Sequence, residues 1–240
     1  KIPTSETYKR MYPNGGWRST AIVSNAIGQG EVLMTPIQLA NMMATVANEG
    51  YYYTPHIIKK IAGTTIDKKF TTKHVTTIDK SHFKPIISGL FDVYNMGTAA
   101  GLRVEGIDIC GKTGTAENFA KINGVRTQLE DHSIFVAFAP KDNPKIAIAI
   151  MIENGGFGST IAGPIASLMI EKYLKKKITR TDLETRILNT SLQGQYAKLG
   201  GLNEDVKREL RIKDSIAQLK LKKQNPTPTA VVKKDSTKKN

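Results

Sequence analysis

The sequence predicts an α+β fold, an antiparallel sheet flanked by helices. Three observations point to it. Residues 133–139 and 145–152 are apolar, strand-like runs joined by Pro140-Lys-Asp-Asn-Pro144, a strong turn. In the second run Ile146, Ile148, Ile150 and Ile152 share one face, and Ala147, Ala149 and Met151 share the other. Both faces are apolar, so this strand is covered on both sides, with helices close on the alanine side. Helical patterns precede and follow the strands instead of alternating with them.

The other elements follow in chain order. Residues 1–30 are mixed. Pro13-Asn14-Gly15-Gly16 reads as a turn with Trp17 behind it as a packing anchor, and Ser24-Asn-Ala-Ile-Gly-Gln-Gly-Glu31 as a glycine-punctuated loop. Thr35 suits a helix N-cap, with Pro36 at the first helical position. Ile37, Leu39, Ala40, Met43, Ala44, Val46 and Ala47 then give a wide apolar face, and Gly50 stops the helix. From Tyr51 to Ile61 the chain reads as extended, broken by Pro55. A polar stretch over 62–81 leads to a second helix from about Lys84 to Tyr94, with Ser81 as its N-cap. Residues 106–116 alternate like a strand, and 118–131 read as a polar connection. Gly155, Gly156 and Gly158 form a loop, and Pro164 opens a helix carrying Ile165, Leu168, Met169 and Tyr173. Beyond Lys177 the pattern weakens. A loose amphipathic helix is expected over 204–223, and 224–240, rich in Pro, Thr and Lys, is expected to be disordered. The chain thus divides into a body, 1–177, and a basic tail, 178–240.

Composition narrows the chemistry. Forty per cent of the 240 residues are apolar, enough for a sizeable core. The single cysteine, Cys110, sits in an apolar strand as a small core residue, and a disulfide within the chain is excluded. The four histidines are scattered, with no His-x3-His or Cys-x2-Cys spacing, which argues against zinc. No run approaches the length of a membrane span. Of the formal charge of +14, residues 171–240 carry +10, from 18 Lys and Arg against 8 Asp and Glu. A basic tail suits membrane lipid, nucleic acid or an acidic polymer, or is simply solvated. The chain opens without a methionine and reads as a fragment.

The stretch with the most chemistry is Gly106-Ile-Asp-Ile-Cys-Gly-Lys-Thr-Gly-Thr-Ala-Glu-Asn118. A lysine charge, two hydroxyls and an accessible backbone edge together suit an anionic, peptide-like ligand. Two active-site patterns fit these letters. Gly106-x4-Gly111-Lys112-Thr113 formally matches the phosphate-binding loop of nucleotide hydrolases, with Glu153 as an acidic partner. Lys112-Thr113-Gly114 matches the last motif of penicillin-binding proteins and class A β-lactamases. The phosphate loop needs a helix starting near Lys112, whereas Gly-Thr-Ala-Glu-Asn is a poor helix start and Ile-Asp-Ile-Cys a strand pattern. A third reading is a non-catalytic binding module whose basic tail does the work.

Six ordered blocks strengthen the second pattern. Ser24-Asn-Ala-Ile-Gly-Gln-Gly-Glu31, Thr35-Pro-Ile-Gln-Leu-Ala40, Ala47-Asn-Glu-Gly50, Gly97-Thr-Ala99, Lys112-Thr-Gly-Thr-Ala116 and Asp131-His-Ser-Ile-Phe-Val-Ala-Phe-Ala-Pro140 together resemble the class B penicillin-binding proteins. The Gly-Gln-Gly-Glu form is most similar to the elongation-type branch, penicillin-binding protein 2. The resemblance covers roughly 8–175 and leaves out the tail. It implies the C-terminal part of a transpeptidase domain, with a β-lactamase-like fold incomplete at its N-terminus. It also implies a serine D,D-transpeptidase that cross-links peptidoglycan stem peptides and binds penicillin. By resemblance Lys112 supplies charge beside the nucleophile and helps shuttle protons. Thr113, Gly114 and Thr115 bind the substrate, the two threonines holding the terminal carboxylate of a D-Ala-D-Ala stem or a β-lactam. The N–H of Thr115 is one of two oxyanion donors, which makes Lys112 and Thr115 the catalytic residues. The resemblance implies no cofactor, no metal and no nucleic acid. The partners it implies are the cell-wall elongation machinery, on the periplasmic side of the bacterial inner membrane, with the anchor upstream.

One departure stands out. The family's nucleophile lies in Ser-x-x-Lys and its second motif is Ser-x-Asn, both ahead of Lys-Thr-Gly. Here Ser-x-Asn is absent, and Ser-x-x-Lys occurs only at Ser81–Lys84 and Ser236–Lys239. Both are out of place, so the nucleophile and base are expected upstream of this chain.

Overall fold

The computed structural model describes residues 2–16, 19–58, 60, 62–122, 124–197 and 211–212. In chain order its elements are α1 (Ser5–Met11), α2 (Ser19–Ala26), α3 (Pro36–Ala47), β1 (Tyr51–Tyr52), α4 (Lys68–Thr71), β2 (His74–Val75), α5 (Phe83–Asn95), β3 (Cys110–Ala116), β4 (Phe119–Ile122), β5 (Val125–Gln128), β6 (His132–Ala139), β7 (Ile146–Ile152), α6 (Ala162–Lys175), α7 (Thr181–Leu188) and α8 (Gln193–Ala197).

The expected α+β architecture is present. β3, β6 and β7 form one antiparallel sheet in that order, with Lys112 opposite Val136 and Ala137 opposite Ile148. Period-two alternation sends side chains to two faces. One face carries Cys110, Val136, Phe138, Ala147 and Ala149 against Met43, Leu39 and Val46 of α3 and Ile87, Leu90 and Phe91 of α5. The small alanines of β7 thus lie on a helix-covered face, as their size predicts. The other face carries Phe135, Ala137 and Ile148 against Ala162, Ala166 and Ile170 of α6, with Tyr94 and Leu102 closing the core. β6, buried from Phe135 to Ala139, is the central strand, and β3 and β7 are the edges.

Helix α3 begins as its sequence predicts. Thr35 precedes Pro36, and the Thr35 N–H donates to Gln38 Oε1 at 2.9 Å. Past its end the Gly50 N–H donates to the Thr45 carbonyl at 2.9 Å, and the chain turns into β1.

Several local expectations are corrected. The cap before α5 is Asp79, not Ser81: its Oδ1 accepts from the Ser81 N–H at 2.8 Å and hydroxyl at 2.5 Å, opening a 3₁₀ turn that runs into α5. A carboxylate two residues upstream reaches free amides that a hydroxyl inside the turn cannot. The strand expected from Gly106 begins only at Cys110, because Gly106 turns the chain and Ile107 bridges back to Val104. Residues 24–26, read as loop, belong to α2, where Asn25 Nδ2 donates to the Ala21 carbonyl at 3.0 Å. The 118–131 connection is a hairpin of β4 and β5, with the Arg126 guanidinium 3.9 Å from the Phe119 ring centre.

The buried residues of α6 are Ala162, Gly163, Pro164, Ala166, Ser167, Leu168, Ile170 and Glu171, while Met169 and Tyr173 stay half-exposed. Small residues let this helix lie against the sheet; a Cβ on Gly163 would come within 2.6 Å of Leu102 Cδ1. Beyond Lys177 the chain keeps packing. Buried Glu171 accepts from the Thr179 hydroxyl and N–H and from Arg180 Nε at 3.0 Å, and Arg180 Nη1 reaches the Leu102 carbonyl at 3.1 Å. The compact unit holding the sheet runs to Gln195. Trp17, most of the helix expected over 204–223 and the disorder expected over 224–240 lie outside the described residues.

Candidate active site

The lysine motif occupies the middle of edge strand β3, with Lys112, Thr113 and Thr115 opposite Val136, Phe135 and Ser133. Alternation puts Lys112 on one face and both threonines on the other. The glycine loop after β7 is packed onto this strand pair. A Cβ on Gly158 would stand 2.3 Å from the Ile134 carbonyl oxygen and 2.6 Å from that of Gly114, so only glycine fits without displacement. Buried Ser133 ties the loop down: its hydroxyl donates to the Phe157 carbonyl at 2.9 Å and accepts from the Ala162 N–H at 3.2 Å.

The outer edge of β3 carries the chemistry. In an antiparallel strand the N–H and C=O of one residue point to the same side, and those of residue i+2 do likewise. The Thr115 carbonyl faces away from β6, because it accepts from Gln29 Nε2 at 2.9 Å. Thr113, Thr115 and Glu117 therefore present backbone groups at this edge. The Glu117 N–H donates to Gln29 Oε1 at 3.0 Å. Lys112 Nζ donates to the Thr113 carbonyl at 2.8 Å. The Thr113 hydroxyl lies 3.0 Å from that of Thr98, just after α5. The result is a lysine charge, three threonine hydroxyls and outward N–H groups along one strand edge. Such an edge can accept an extended peptide, with donors for a carboxylate or a developing oxyanion.

All four residues expected from sequence, Lys112, Thr113, Gly114 and Thr115, lie on this strand. Gln29 and Thr98 were not assigned roles, although both stand inside blocks of the family resemblance; only the chain's path shows that they meet β3. Cys110 is not a nucleophile. Burial pushes its thiol up to about 12, and Sγ lies 3.6 Å from the Ile87 carbonyl. Ser81 is exposed and held by Asp79. Lys84 lines a polar cavity of 610 Å³ with Glu49, Ser88, Lys141 and Asp142, and none of residues 112–115 lines it.

The phosphate-loop reading is overturned: Lys112 and Thr113 are mid-strand residues, and no helix starts at Lys112 to offer its amides. Among the described residues no group of three His, Cys, Asp or Glu side chains is placed to hold a metal ion. No described helix is long and apolar enough to cross a membrane.

An antiparallel sheet with helices on both faces, and Lys-Thr-Gly on its edge strand, defines a β-lactamase-like transpeptidase architecture. The chain belongs to the family described as penicillin binding protein transpeptidase domain, which residues 5–171 match. Its relatives include peptidoglycan D,D-transpeptidases named MrdA and PbpA and a structure named PBP2. The peptidoglycan D,D-transpeptidase MrdA of Haemophilus influenzae is 30% identical over 194 residues, 75% of this chain and 30% of that protein. MrdA of Acinetobacter baumannii is 33% identical over 214 residues, 79% of this chain and 30% of that protein. The crystal structure of Pseudomonas aeruginosa PBP2 in complex with WCK 5153 matches with a TM-score of 0.57 at 31% identity, covering 75% of this chain and 38% of that one. A chain in a structure described as a peptidoglycan synthase complex coordinating polymerization and crosslinking matches with a TM-score of 0.60 at 31% identity, covering 75% and 29%. The chain thus spans about 30% of the length of these curated relatives.

Proposed function

We propose that this chain supplies the substrate-binding strand of a serine D,D-transpeptidase that cross-links peptidoglycan stem peptides and is acylated by β-lactams. The observation that carries the reading is the outer edge of β3, which carries Lys112, Thr113 and Thr115, with the Thr98 hydroxyl 3.0 Å from that of Thr113. In this role Lys112 supplies charge beside the nucleophile and helps shuttle protons, and the hydroxyls of Thr113 and Thr115 hold the terminal carboxylate of a D-Ala-D-Ala stem. The Thr115 N–H is one of two donors to the oxyanion. A serine Oγ attacks the D-Ala carbonyl, an ester C–O bond forms, the amide C–N bond breaks, and the departing D-Ala amine takes a proton. The amine of a neighbouring stem then attacks the ester and frees the serine.

The serine and its base are assigned to Ser-x-x-Lys and Ser-x-Asn segments of a longer protein, since neither motif stands in place here. The likeness to peptidoglycan D,D-transpeptidases supports a cell-wall enzyme, and the synthase-complex likeness supports elongation machinery as partner. The periplasmic side of the inner membrane is the matching location, and no cofactor is required.

The test is labelling with fluorescent penicillin. The longer protein carrying this chain is expected to be acylated, and Lys112→Ala to slow acylation by about 10²-fold, a typical loss for one charge-stabilising group. The 240-residue chain alone is expected not to label. Stoichiometric label on that chain, mapped to Ser81, would overturn the reading.

A further inference from the structure

The side chain of Gln29 makes the longest-range polar contact with the β3 edge, and nothing in the proposed chemistry uses it. Its amide donates to the Thr115 carbonyl at 2.9 Å and accepts from the Glu117 N–H at 3.0 Å, from 86 and 88 residues away in sequence. A glutamine amide carries one acceptor oxygen and one NH₂, the same pair that a peptide unit of a neighbouring strand would offer. Gln29 therefore stands where an added strand would continue, one residue past Thr115.

The loop is built to hold it there. Gly28 takes a φ of +80°, and the Gln29 N–H donates to the Ser24 carbonyl at 2.8 Å. Beneath it Asn25 Nδ2 donates to the Tyr8 hydroxyl at 2.7 Å and to Glu31 Oε2 at 2.9 Å. A Cβ on Gly30 would come within 2.7 Å of the Asn25 backbone nitrogen, so the turn closes tightly on α2. At the other end of the edge, Lys112 Nζ engages the Thr113 carbonyl. The outward carbonyls of Thr113 and Thr115 thus already carry a donor from the protein, and the N–H groups of the same two residues remain as outward donors.

We infer that Gln29 is a positioning residue: it ends the ligand-binding edge of β3 at Thr115 and fixes the Thr115–Ala116 peptide, which holds the strand geometry at Thr115 and so aims the donor N–H of the preceding peptide. This rests on the proposed transpeptidase reading and adds a residue to it. Gln29→Met keeps the length and apolar stem but removes both bonds. Gln29→Glu keeps an acceptor for the Glu117 N–H but sets a carboxylate oxygen against the Thr115 carbonyl.

The experiment measures acylation of the longer protein by penicillin, separating the pre-covalent dissociation constant from the acylation rate constant. Both variants are expected to lower the acylation rate constant, by up to about 10²-fold, the scale on which misplacing a reacting group by an ångström acts. The dissociation constant and melting temperature should change little. Wild-type acylation rates in a folded Gln29→Met protein would overturn the inference, as would equal losses in binding and rate. Hydrogen exchange of the wild-type Glu117 amide gives a check that needs no variant: slow exchange is expected, and exchange at the rate of an open strand edge would overturn the contact. The two readings fail separately. If Lys112→Ala acylates normally, the transpeptidase reading falls; if only the Gln29 variants behave as wild type, this inference falls alone.

Discussion

The hydroxyls of Thr98 and Thr113 lie 3.0 Å apart, joining the end of α5 to the edge strand β3. One threonine follows a helix and the other stands on a sheet, so the contact fixes how the helix meets the binding edge. A hydroxyl both donates and accepts, so Thr98 can set which way the Thr113 proton points.

Thr98→Val in the longer protein should therefore slow penicillin acylation by about fivefold, the scale of one net hydrogen bond near 1 kcal/mol. Thr113→Val should cost more, because that hydroxyl is assigned to the ligand itself. The double variant should cost less than the product of the two, since the pair acts together. Independent, multiplicative losses would show that the contact does not serve the site.

Gly158 gives a prediction about packing. Gly158→Ala would place a methyl group among the carbonyls of Ile134 and Gly114, 2.3 and 2.6 Å from their oxygens. Overpacking of this kind costs about 1–3 kcal/mol. Thermal melting should show that loss, and acylation should fall with it, because Gly114 belongs to the binding strand. An unchanged melting temperature would mean that the loop moves aside freely.

Glu171 predicts a pH response. Burial alone would raise its pKa, but the Thr179 hydroxyl, Arg180 and the Thr179 N–H outweigh burial and hold it below the ordinary value of 4.5. A depressed carboxylate stabilises the fold above that value, and the contribution is lost as the pH falls through the lower folded value. Melting temperature should therefore fall below about pH 4.5, and the fall should be shallower in Glu171→Gln. Arg180→Ala leaves a fully buried carboxylate without its cation and should cost about 3–5 kcal/mol at neutral pH. A change below 1 kcal/mol would show that Thr179 suffices.

What the sequence determined by itself is local. Alternation over 145–152, Thr35-Pro36 before an apolar helix, and Lys112-Thr-Gly-Thr115 as consecutive letters each depend on neighbours in the chain, and each was legible there. Errors came where a local signal was weak or met a competitor. Asp79 outreached Ser81 for the turn amides, and the β4–β5 hairpin lacks strong apolar alternation. The small stripe of α6 won burial over Met169 and Tyr173 because close approach to the sheet favours small side chains.

Only the tertiary structure decided what surrounds the motif. Gln29, Thr98 and Gly158 reach β3 from 86, 15 and 44 residues away from Thr115, Thr113 and Gly114. No periodicity encodes such meetings; they follow from how helices and loops close over a sheet edge. The same holds for Glu171 and Arg180, whose pairing past Lys177 extends the body into a segment that reads as tail, because a buried carboxylate must find its partners wherever the chain returns.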